Sequence, residues 1–259
     1  MLLDGRNAVI YGGGGSIGGA VARAFAREGA NVFLAGRTRE PLDKVASDIE
    51  KGPGGRAEVA ELDALDEQAV ESYVVGLVQR AGSIDVSFNA ISLRDVQLIP
   101  LVDMSREDFM RPISTGMTTH FVTARAAARH MAAQGSGAIL TFSASAASAY
   151  FPGVHVGGFG IACTAIEALT KQLAAEVGQS GIRVNCLRSE GIPESWQGAS
   201  TEDWSAPTDE IEAFLKERSV LGRVTTLADV GNAAAFLASD RAGATTGTIF
   251  NLTSGTVVD

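Results

Sequence analysis

Short apolar runs alternate with longer stretches of helical periodicity along most of this chain. The first run, Asn7–Tyr11, leads into the glycine-rich sequence YGGGGSIGG, and apolar residues then recur with the spacing of an amphipathic helix as far as Arg27. A second apolar run covers residues 31–35. This order predicts a strand, a tight glycine turn, an amphipathic helix and a second strand, which together make a βαβ unit.

The same alternation continues to the C-terminus. Further strands are predicted at residues 56–61, 84–88, 138–142, 183–187 and 248–251. Helices are predicted at residues 40–49, 65–80, 106–133, 159–177 and 227–238. We expect Pro112 to interrupt the first turns of the helix at 106–133, and residues 191–221 to be irregular to helical. Because strands alternate with helices throughout, we expect an α/β fold, a doubly wound parallel sheet of the Rossmann type, in a single domain over residues 1–259.

One long stretch of the chain has no charged side chain. From Met131 to Ile166 there is no Asp, Glu, Lys or Arg, although 20% of the whole sequence is charged, and the only group there that titrates near neutral pH is His155. Gly, Ser and Pro interrupt the stretch too often for a membrane span of about 20 apolar residues. We interpret it as a buried strand, a loop of small residues and the start of a long helix, at the sheet edge where α/β proteins place their chemistry.

Composition and charge narrow the classes of partner. A formal charge of −9 and a pI near 4.9 argue against nucleic acid and against anionic membrane surfaces. Two cysteines, Cys163 and Cys186, are too few for a disulfide framework and favour a reducing compartment. The N-terminal sequence MLLDGRNAVIYG lacks the basic and apolar regions of a signal peptide. We therefore expect a cytoplasmic protein that acts on a small molecule and binds neither nucleic acid nor membrane.

The glycine turn predicts a dinucleotide-binding site. Backbone N–H groups of such a turn approach a pyrophosphate at the N-terminus of the next helix, where the helix dipole favours negative charge. An NAD site normally has an acid after the second strand for the ribose 2′-hydroxyl, whereas this sequence reads Ala-Gly-Arg-Thr-Arg with no acid before Glu40. NADP is therefore expected, with Arg37 as the first candidate for its 2′-phosphate and Arg39 as the second. The alternatives are a turn that binds nothing and arginines that only cap a solvated loop.

The chain resembles the short-chain dehydrogenase/reductase family over essentially its whole length. The matching residues are Gly12 and Gly18, Asp63, the run 84–86 before Asn89 and Ala90, and the runs 167–171, 181–185 and 246–247. The resemblance implies a seven-stranded sheet, an adenine contact from Asp63, an oxidoreductase acting on a carbonyl or alcohol, and a homotetramer or homodimer built on the two long helices. The cofactor-binding residues expected from the turn and the resemblance are Gly12, Gly14, Gly15, Ser16, Ile17, Gly18, Arg37, Asp63 and Asn89.

The chain departs from the family at the catalytic positions. The family has a Tyr at the start of the long helix and a Lys four residues later, whose charge lowers the pKa of the Tyr phenol. Here Phe159 and Cys163 stand at those positions, Ala144 replaces the family's serine, and Gly116 stands near its asparagine. Phenylalanine has no proton to give, and a thiol cannot replace an ammonium group. Conventional Tyr/Lys catalysis is therefore absent from this sequence.

Three residues are candidates for a catalytic role in place of the missing Tyr/Lys pair. His155 lies in the loop before the long helix and can donate or accept a proton near neutral pH. Ser143 and Ser145 lie on either side of Ala144 and are placed to bind a substrate carbonyl. The alternatives are a loop histidine bonded to backbone and serines that make ordinary hydrogen bonds at a strand end.

Three further residues are candidates for substrate contact. Tyr150 is either a displaced phenol, although no Lys follows it at helical reach, or an aromatic ring packed against Phe151 and Pro152. Arg188 would either clamp an anionic group or pair with Glu190. Trp196 lies within residues 191–221, which correspond to the family's substrate lid. Aromatic residues in a lid favour an apolar or aromatic substrate, and the alternative is that they pack the lid onto the sheet. We expect no metal site.

Three functions stay open on the sequence. The first is an NADP-dependent oxidoreductase with a non-standard proton donor, since a general acid contributes about 10²- to 10⁴-fold and its loss need not abolish hydride transfer. The second is a non-redox enzyme on the same fold, such as a dehydratase, isomerase or cyclase. The third is a catalytically inactive NADP-binding or scaffold homologue. We take the first as the working hypothesis.

Overall fold

Apolar runs and amphipathic stretches become strands and helices in nearly the places that the periodicity predicts. The computed structural model describes residues 1–52, 55–150, 153–196 and 208–258. The strands are β1 (Asn7–Tyr11), β2 (Asn31–Gly36), β3 (Arg56–Glu61), β4 (Val86–Asn89), β5 (Gly137–Ala144), β6 (Ile182–Ser189) and β7 (Ile249–Leu252). The α-helices are α1 (Ser16–Arg27), α2 (Arg39–Glu50), α3 (Glu67–Ala81), α4 (Arg106–Gln134), α5 (Gly158–Val177), α6 (Pro193–Trp196), α7 (Thr208–Arg218) and α8 (Leu227–Ala238).

All seven strands are parallel and form one sheet in the order β3-β2-β1-β4-β5-β6-β7. The chain builds outward from β1 to β3, then returns to the other side of β1 and continues from β4 to β7. At such a reversal of strand order, the helices that follow β1 and β4 leave on opposite faces and a crevice opens at the carboxyl ends of the strands. The predicted α/β fold is confirmed, and the crevice is where its chemistry belongs.

Apolar side chains on both faces of the sheet pack against helices. On one face Val21 and Phe25 of α1 and Val230 of α8 are buried in a single apolar cluster. On the other face Val74 of α3 and Met131 of α4 belong to a second cluster. Burial of each such side chain is worth roughly 1.5–3 kcal/mol, so the two clusters hold the helices that carry the site.

The structure differs from the sequence prediction at Pro112. Pro112 does not interrupt α4, which runs continuously through it. The prediction was wrong because Pro112 is buried, and packing of the helix offsets the cost of a proline inside a helix, which is about 3 kcal/mol.

Of the predicted lid, α6 and α7 are described, whereas residues 197–207 lie outside the described residues. Within the described part of the chain, no helix is both long enough and apolar enough to span a bilayer.

Candidate functional site

A cleft of about 920 Å³ runs along the carboxyl ends of the central strands. It extends from the glycine turn after β1 to the end of β5 and the first turns of α5. The predicted cofactor residues that line it are Gly12, Gly14, Gly15, Ser16, Ile17, Arg37, Asp63 and Asn89. Gly18 is not in the lining. The structure therefore brings eight of the nine predicted cofactor residues into one continuous cleft.

Close backbone contacts explain why the turn after β1 needs glycine. Gly12 has a φ of +76°, and a Cβ on it would lie 2.6 Å from the Ala90 carbonyl oxygen in the loop after β4. A Cβ on Gly18 would collide with the Gly12 carbonyl oxygen. Gly15, the N-cap of α1, makes no side-chain capping bond, and the first turn of α1 contains no acid. The N–H groups at this helix end are therefore oriented toward the cleft edge and suited to a phosphate.

The end of β2 carries the arginine predicted to select the cofactor. Arg37 is exposed, lines the cleft and forms no ion pair with any described residue. Arg39 instead pairs with Asp43, with Nε and Oδ2 3.3 Å apart. Thr38, the N-cap of α2, makes no side-chain capping bond. A guanidinium beside an uncapped helix N-terminus is a suitable environment for a phosphate group.

Two side chains from β3 and β4 complete this half of the cleft. Asp63 accepts a hydrogen bond from the Leu65 backbone N–H at 3.0 Å. Asn89 donates to Thr123 Oγ1 and accepts from the Ile91 backbone N–H, both at 3.0 Å. Because both ends of its amide are bonded to protein, Asn89 fixes the loop after β4 against α4.

The far end of the cleft contains an apolar ring and a neutral thiol. Phe159 and Cys163, which the sequence places at the family's Tyr and Lys positions, both line the cleft, as do Ser143 and Ala144. Burial raises the pKa of the Cys163 thiol to about 12, so the group is neutral at pH 7. Neither residue supplies the charge or the phenolic proton on which Tyr/Lys chemistry depends.

A buried ion pair underlies this end of the cleft. Arg188 Nε and Nη2 donate to the two Glu167 carboxylate oxygens, each at 2.8 Å, and both side chains are less than 10% exposed. Ser143 Oγ donates to the same carboxylate at 2.8 Å and accepts from Cys186 Sγ at 3.3 Å. Arg188 pairs with Glu167, and not with Glu190, which the sequence left open as an alternative partner, because the rotation of α5 on the sheet brings Glu167 next to β6. Arg188 is not among the cleft-lining residues.

Three other predicted residues lie outside the cleft lining. Ser145 Oγ donates to Glu190 Oε1 at 2.6 Å. The Tyr150 hydroxyl donates to a main-chain carbonyl at 3.2 Å, and its side chain is 76% exposed. His155 is half-buried, and its carbonyl oxygen accepts from the Leu98 N–H at 2.7 Å. Their catalytic and substrate roles stay predictions, which would require the loop before α5 to change conformation.

Trp196 of α6 does line the cleft and also packs close to the Gly191 backbone. Ser16 Oγ donates to the Ser195 carbonyl oxygen at 3.4 Å, which links α6 to the glycine turn. The described beginning of the predicted lid is therefore attached at the cofactor end of the cleft.

Sequence reasoning missed a row of α4 side chains, Thr115, Thr119 and His120, that line the same cleft. His120 is 1% exposed, and its Nδ1 lies 2.9 Å from the Gly116 carbonyl oxygen. Burial lowers the pKa of His120 to about 4. The only sequence signal was its position one helical turn after Gly116, the residue near the family's asparagine.

Comparison with known proteins identifies the family. A family model described as enoyl-(acyl carrier protein) reductase matches residues 13–256. Tropinone reductase-like 2 of Erythroxylum coca is 31% identical over 93% of this chain and 86% of its own. The crystal structure of a short-chain type dehydrogenase/reductase from Mycobacterium marinum superposes with a TM-score of 0.87, at 29% identity over 99% of this chain and 97% of that one.

A second solved structure adds a bound nucleotide. It is a gluconate 5-dehydrogenase from Burkholderia cenocepacia in complex with NADP and tartrate, with a TM-score of 0.85 and 26% identity over 98% of this chain and 96% of that one. The glycine turn, the sheet order and these relatives agree. The chain belongs to the short-chain dehydrogenase/reductase family.

Proposed function

We propose that this protein is an NADP-dependent oxidoreductase that interconverts a carbonyl and an alcohol with a proton donor other than the family's tyrosine. One observation carries the proposal: a single cleft joins the glycine turn and Arg37 at one end to Ser143 and Phe159 at the other. The named relatives, which include a reductase and a dehydrogenase, support an oxidoreductase.

The cleft residues fit NADP. The uncapped N-terminus of α1 would hold the pyrophosphate, Arg37 and Thr38 would hold the 2′-phosphate, and Asp63 would contact the adenosine. The absence of a Cβ at Gly12 and Gly18 lets the glycine turn pack closely against the Ala90 and Gly12 carbonyl groups, which gives the turn its shape at the cleft. When bound, the nucleotide supplies or accepts the hydride.

The residues at the far end would orient the substrate and hold its proton. Phe159 at this end, and Trp196 of α6 elsewhere in the cleft lining, present aromatic surface, which suits an apolar or aromatic substrate and excludes water. Ser143 is the one predicted donor in the cleft lining, so we place it nearest the reacting oxygen. To donate there, its hydroxyl must turn away from Glu167, whose carboxylate still accepts from Arg188. His155 and Ser145 would act only if the loop before α5 brings them closer.

The proposal also covers the oligomeric state of the protein and its cellular compartment. Phe121 of α4 and Ile161 of α5 are 46% and 49% exposed, which supports a homotetramer or homodimer formed through these two helices. Both cysteines are free and buried, which is consistent with a reducing cytoplasmic compartment.

Isotope transfer tests the reaction. NADPH carrying deuterium on one face of C4 is incubated with a panel of aromatic and aliphatic ketones, and NADPH labelled on the opposite face is the control. We expect deuterium in the alcohol from one label only. Conversion of a substrate with no transfer from either label would favour a dehydratase, isomerase or cyclase. Tight NADP binding with no conversion would favour a binding or scaffold protein.

A further inference from the structure

His120 is a buried side chain with one unpartnered ring nitrogen. Nδ1 lies 2.9 Å from the Gly116 carbonyl oxygen, while Nε2 has no hydrogen-bond partner among the described residues. A carbonyl oxygen can only accept, so Nδ1 carries the ring hydrogen and Nε2 carries a lone pair. Burial holds the pKa of the ring near 4, so His120 is a neutral acceptor at physiological pH.

Polar side chains on the same face of α4, and Asn89 beside them, already donate to other groups. The hydroxyl of Thr119 donates to the Gly116 carbonyl at 3.4 Å, and that of Thr123 to the Thr119 carbonyl at 2.7 Å. The Asn89 amide donates to Thr123 Oγ1 at 3.0 Å. Leaving a buried acceptor without a partner is costly, and such groups in proteins usually have a functional explanation.

The ring also contributes to the cleft lining. His120 lines the cleft together with Thr115 and Thr119 from the same helix. Nε2 itself is buried in the free protein, so a bound molecule reaches it only when the side chains that line the cleft move. An unpartnered acceptor in the lining fits a donor group on such a molecule.

We propose that His120 Nε2 is a ligand-binding acceptor that takes a hydrogen bond from a hydroxyl group of a molecule bound in the cleft. The identity of that molecule rests on the proposed function: the hydroxyl belongs either to the alcohol substrate or to a ribose of the nucleotide. His120 acts by binding and orienting that group, and its low basicity leaves the proton on the ligand.

Nitrogen NMR tests the proposal on the unaltered protein. The chain has three histidines, His120, His130 and His155, so spectra of ¹⁵N-histidine-labelled protein are simple to assign with single substitutions. We expect the Nδ1–H tautomer at His120 in the free protein. NADP⁺ alone shifts the Nε2 resonance if the donor is a ribose hydroxyl. If it is the substrate hydroxyl, the shift requires 1-phenylethanol, added with NADP⁺. A resonance that neither probe moves overturns the proposal.

Calorimetry with variants gives an independent readout. His120→Asn keeps a donor near the Nδ1 position but removes the acceptor, whereas His120→Gln places an amide oxygen near Nε2. We expect His120→Asn to weaken binding of the effective probe by about 3- to 10-fold and His120→Gln to restore most of it. His130→Asn, on the same helix but outside the cleft, is the control and should bind like the parent. Equal affinities for all four proteins overturn the proposal. Failure of NADP⁺ to bind the parent at all counts instead against the proposed function.

Discussion

Two polar residues at the far end of the cleft are electrically neutral at physiological pH. Burial raises the pKa of Cys163 to about 12 and lowers that of His120 to about 4. Effective general acids have pKa values near the operating pH, so neither residue suits that role. Arg94 and Asp95 of the loop after β4 line the cleft, and the charge of Asp95 acts on Cys163. Glu167 and Arg188 are paired with each other. Any proton that reaches the substrate therefore comes through a hydroxyl, water or a loop residue.

The neutral state of His120 makes stability depend on pH. Its pKa is about 4 in the folded protein and 6.5 in the unfolded chain, so the unfolded state binds more protons between these values. Above about pH 6.5 the ring is neutral in both states, and the free energy of unfolding has its full value. It decreases as the pH falls from 6.5 toward 4. Between pH 7.5 and 5, we expect the parent to lose about 2 kcal/mol more of its unfolding free energy than His120→Gln, by urea titration. Parallel pH profiles for the parent and His120→Gln would contradict the prediction.

We expect cofactor choice to depend on one exposed arginine, Arg37. We expect the parent to bind NADPH more tightly than NADH, and Arg37→Asp to reverse the preference, because the new carboxylate repels a 2′-phosphate and accepts from a 2′-hydroxyl. The affinity for NADPH should fall by about 10- to 100-fold, which is the effect of losing a hydrogen bond to a charged group. Fluorescence titration measures both affinities. Arg106→Asp, an exposed residue outside the cleft, provides a control with the same change of charge. Equal affinities of the parent for NADPH and NADH would rule out the assignment.

Sequence reasoning found the residues whose place follows from local order. Gly12, Arg37 and Asp63 each come directly after a strand, and parallel strands bring their carboxyl ends to one edge. The pairing of Glu167 with Arg188 depends on how α5 is rotated against β6, and periodicity does not fix that rotation. His120 was missed for the same reason, because the sequence of α4 does not show which way this histidine faces.

At the scale of elements, the first turn of α5 owes its position to a glycine. A Cβ on Gly158 would collide with the Phe109 carbonyl oxygen of α4 and would lie 3.1 Å from Pro112 Cγ. The close crossing places Phe159 and Cys163 at the cleft. It also shows why α4 accepts a buried proline, since Pro112 forms part of this contact rather than a break.

Substitutions at the two ends of α5 test this packing. Gly158→Ala should destabilise the protein by about 1–3 kcal/mol, as overpacking does. Gly178 ends the same helix with φ of −58° and nothing within 4 Å of a Cβ, so Gly178→Ala should be stabilising by about 0.4–1 kcal/mol. Chemical denaturation measures both. The opposite order of stabilities would show that the α4–α5 crossing does not constrain the helix.

At the scale of the whole molecule, the faces of α4 and α5 that point away from the sheet are expected to meet other subunits. Phe121→Asp should dissociate a tetramer or dimer formed there, because burying an unpaired carboxylate in an apolar interface is costly. Light scattering after gel filtration gives the mass. Val75→Asp, on the exposed side of α3 and 41% exposed, is the matched control. A monomeric parent, or an assembly that Phe121→Asp leaves intact, would contradict the proposed interface.

The whole fold was largely predictable, whereas the reaction was not. The sequence contains seven apolar runs, each followed by a glycine or a polar turn. A parallel sheet with helices on both faces is the arrangement that buries these runs. The substrate cannot be inferred in the same way, because its pocket combines the end of β5, the start of α5 and α6, which lie far apart in sequence.

The strand order has a consequence for the newly made chain. β1 pairs with β2 on one side and with β4 on the other, so that Ala8 lies opposite both Val32 and Val86. The first βαβ unit can form early in synthesis, but the second edge of β1 stays open until Val86 has left the ribosome. Unpaired edges of apolar strands invite association with other chains. During the interval between the synthesis of these two strands, the open edge of β1 is available for association with other chains.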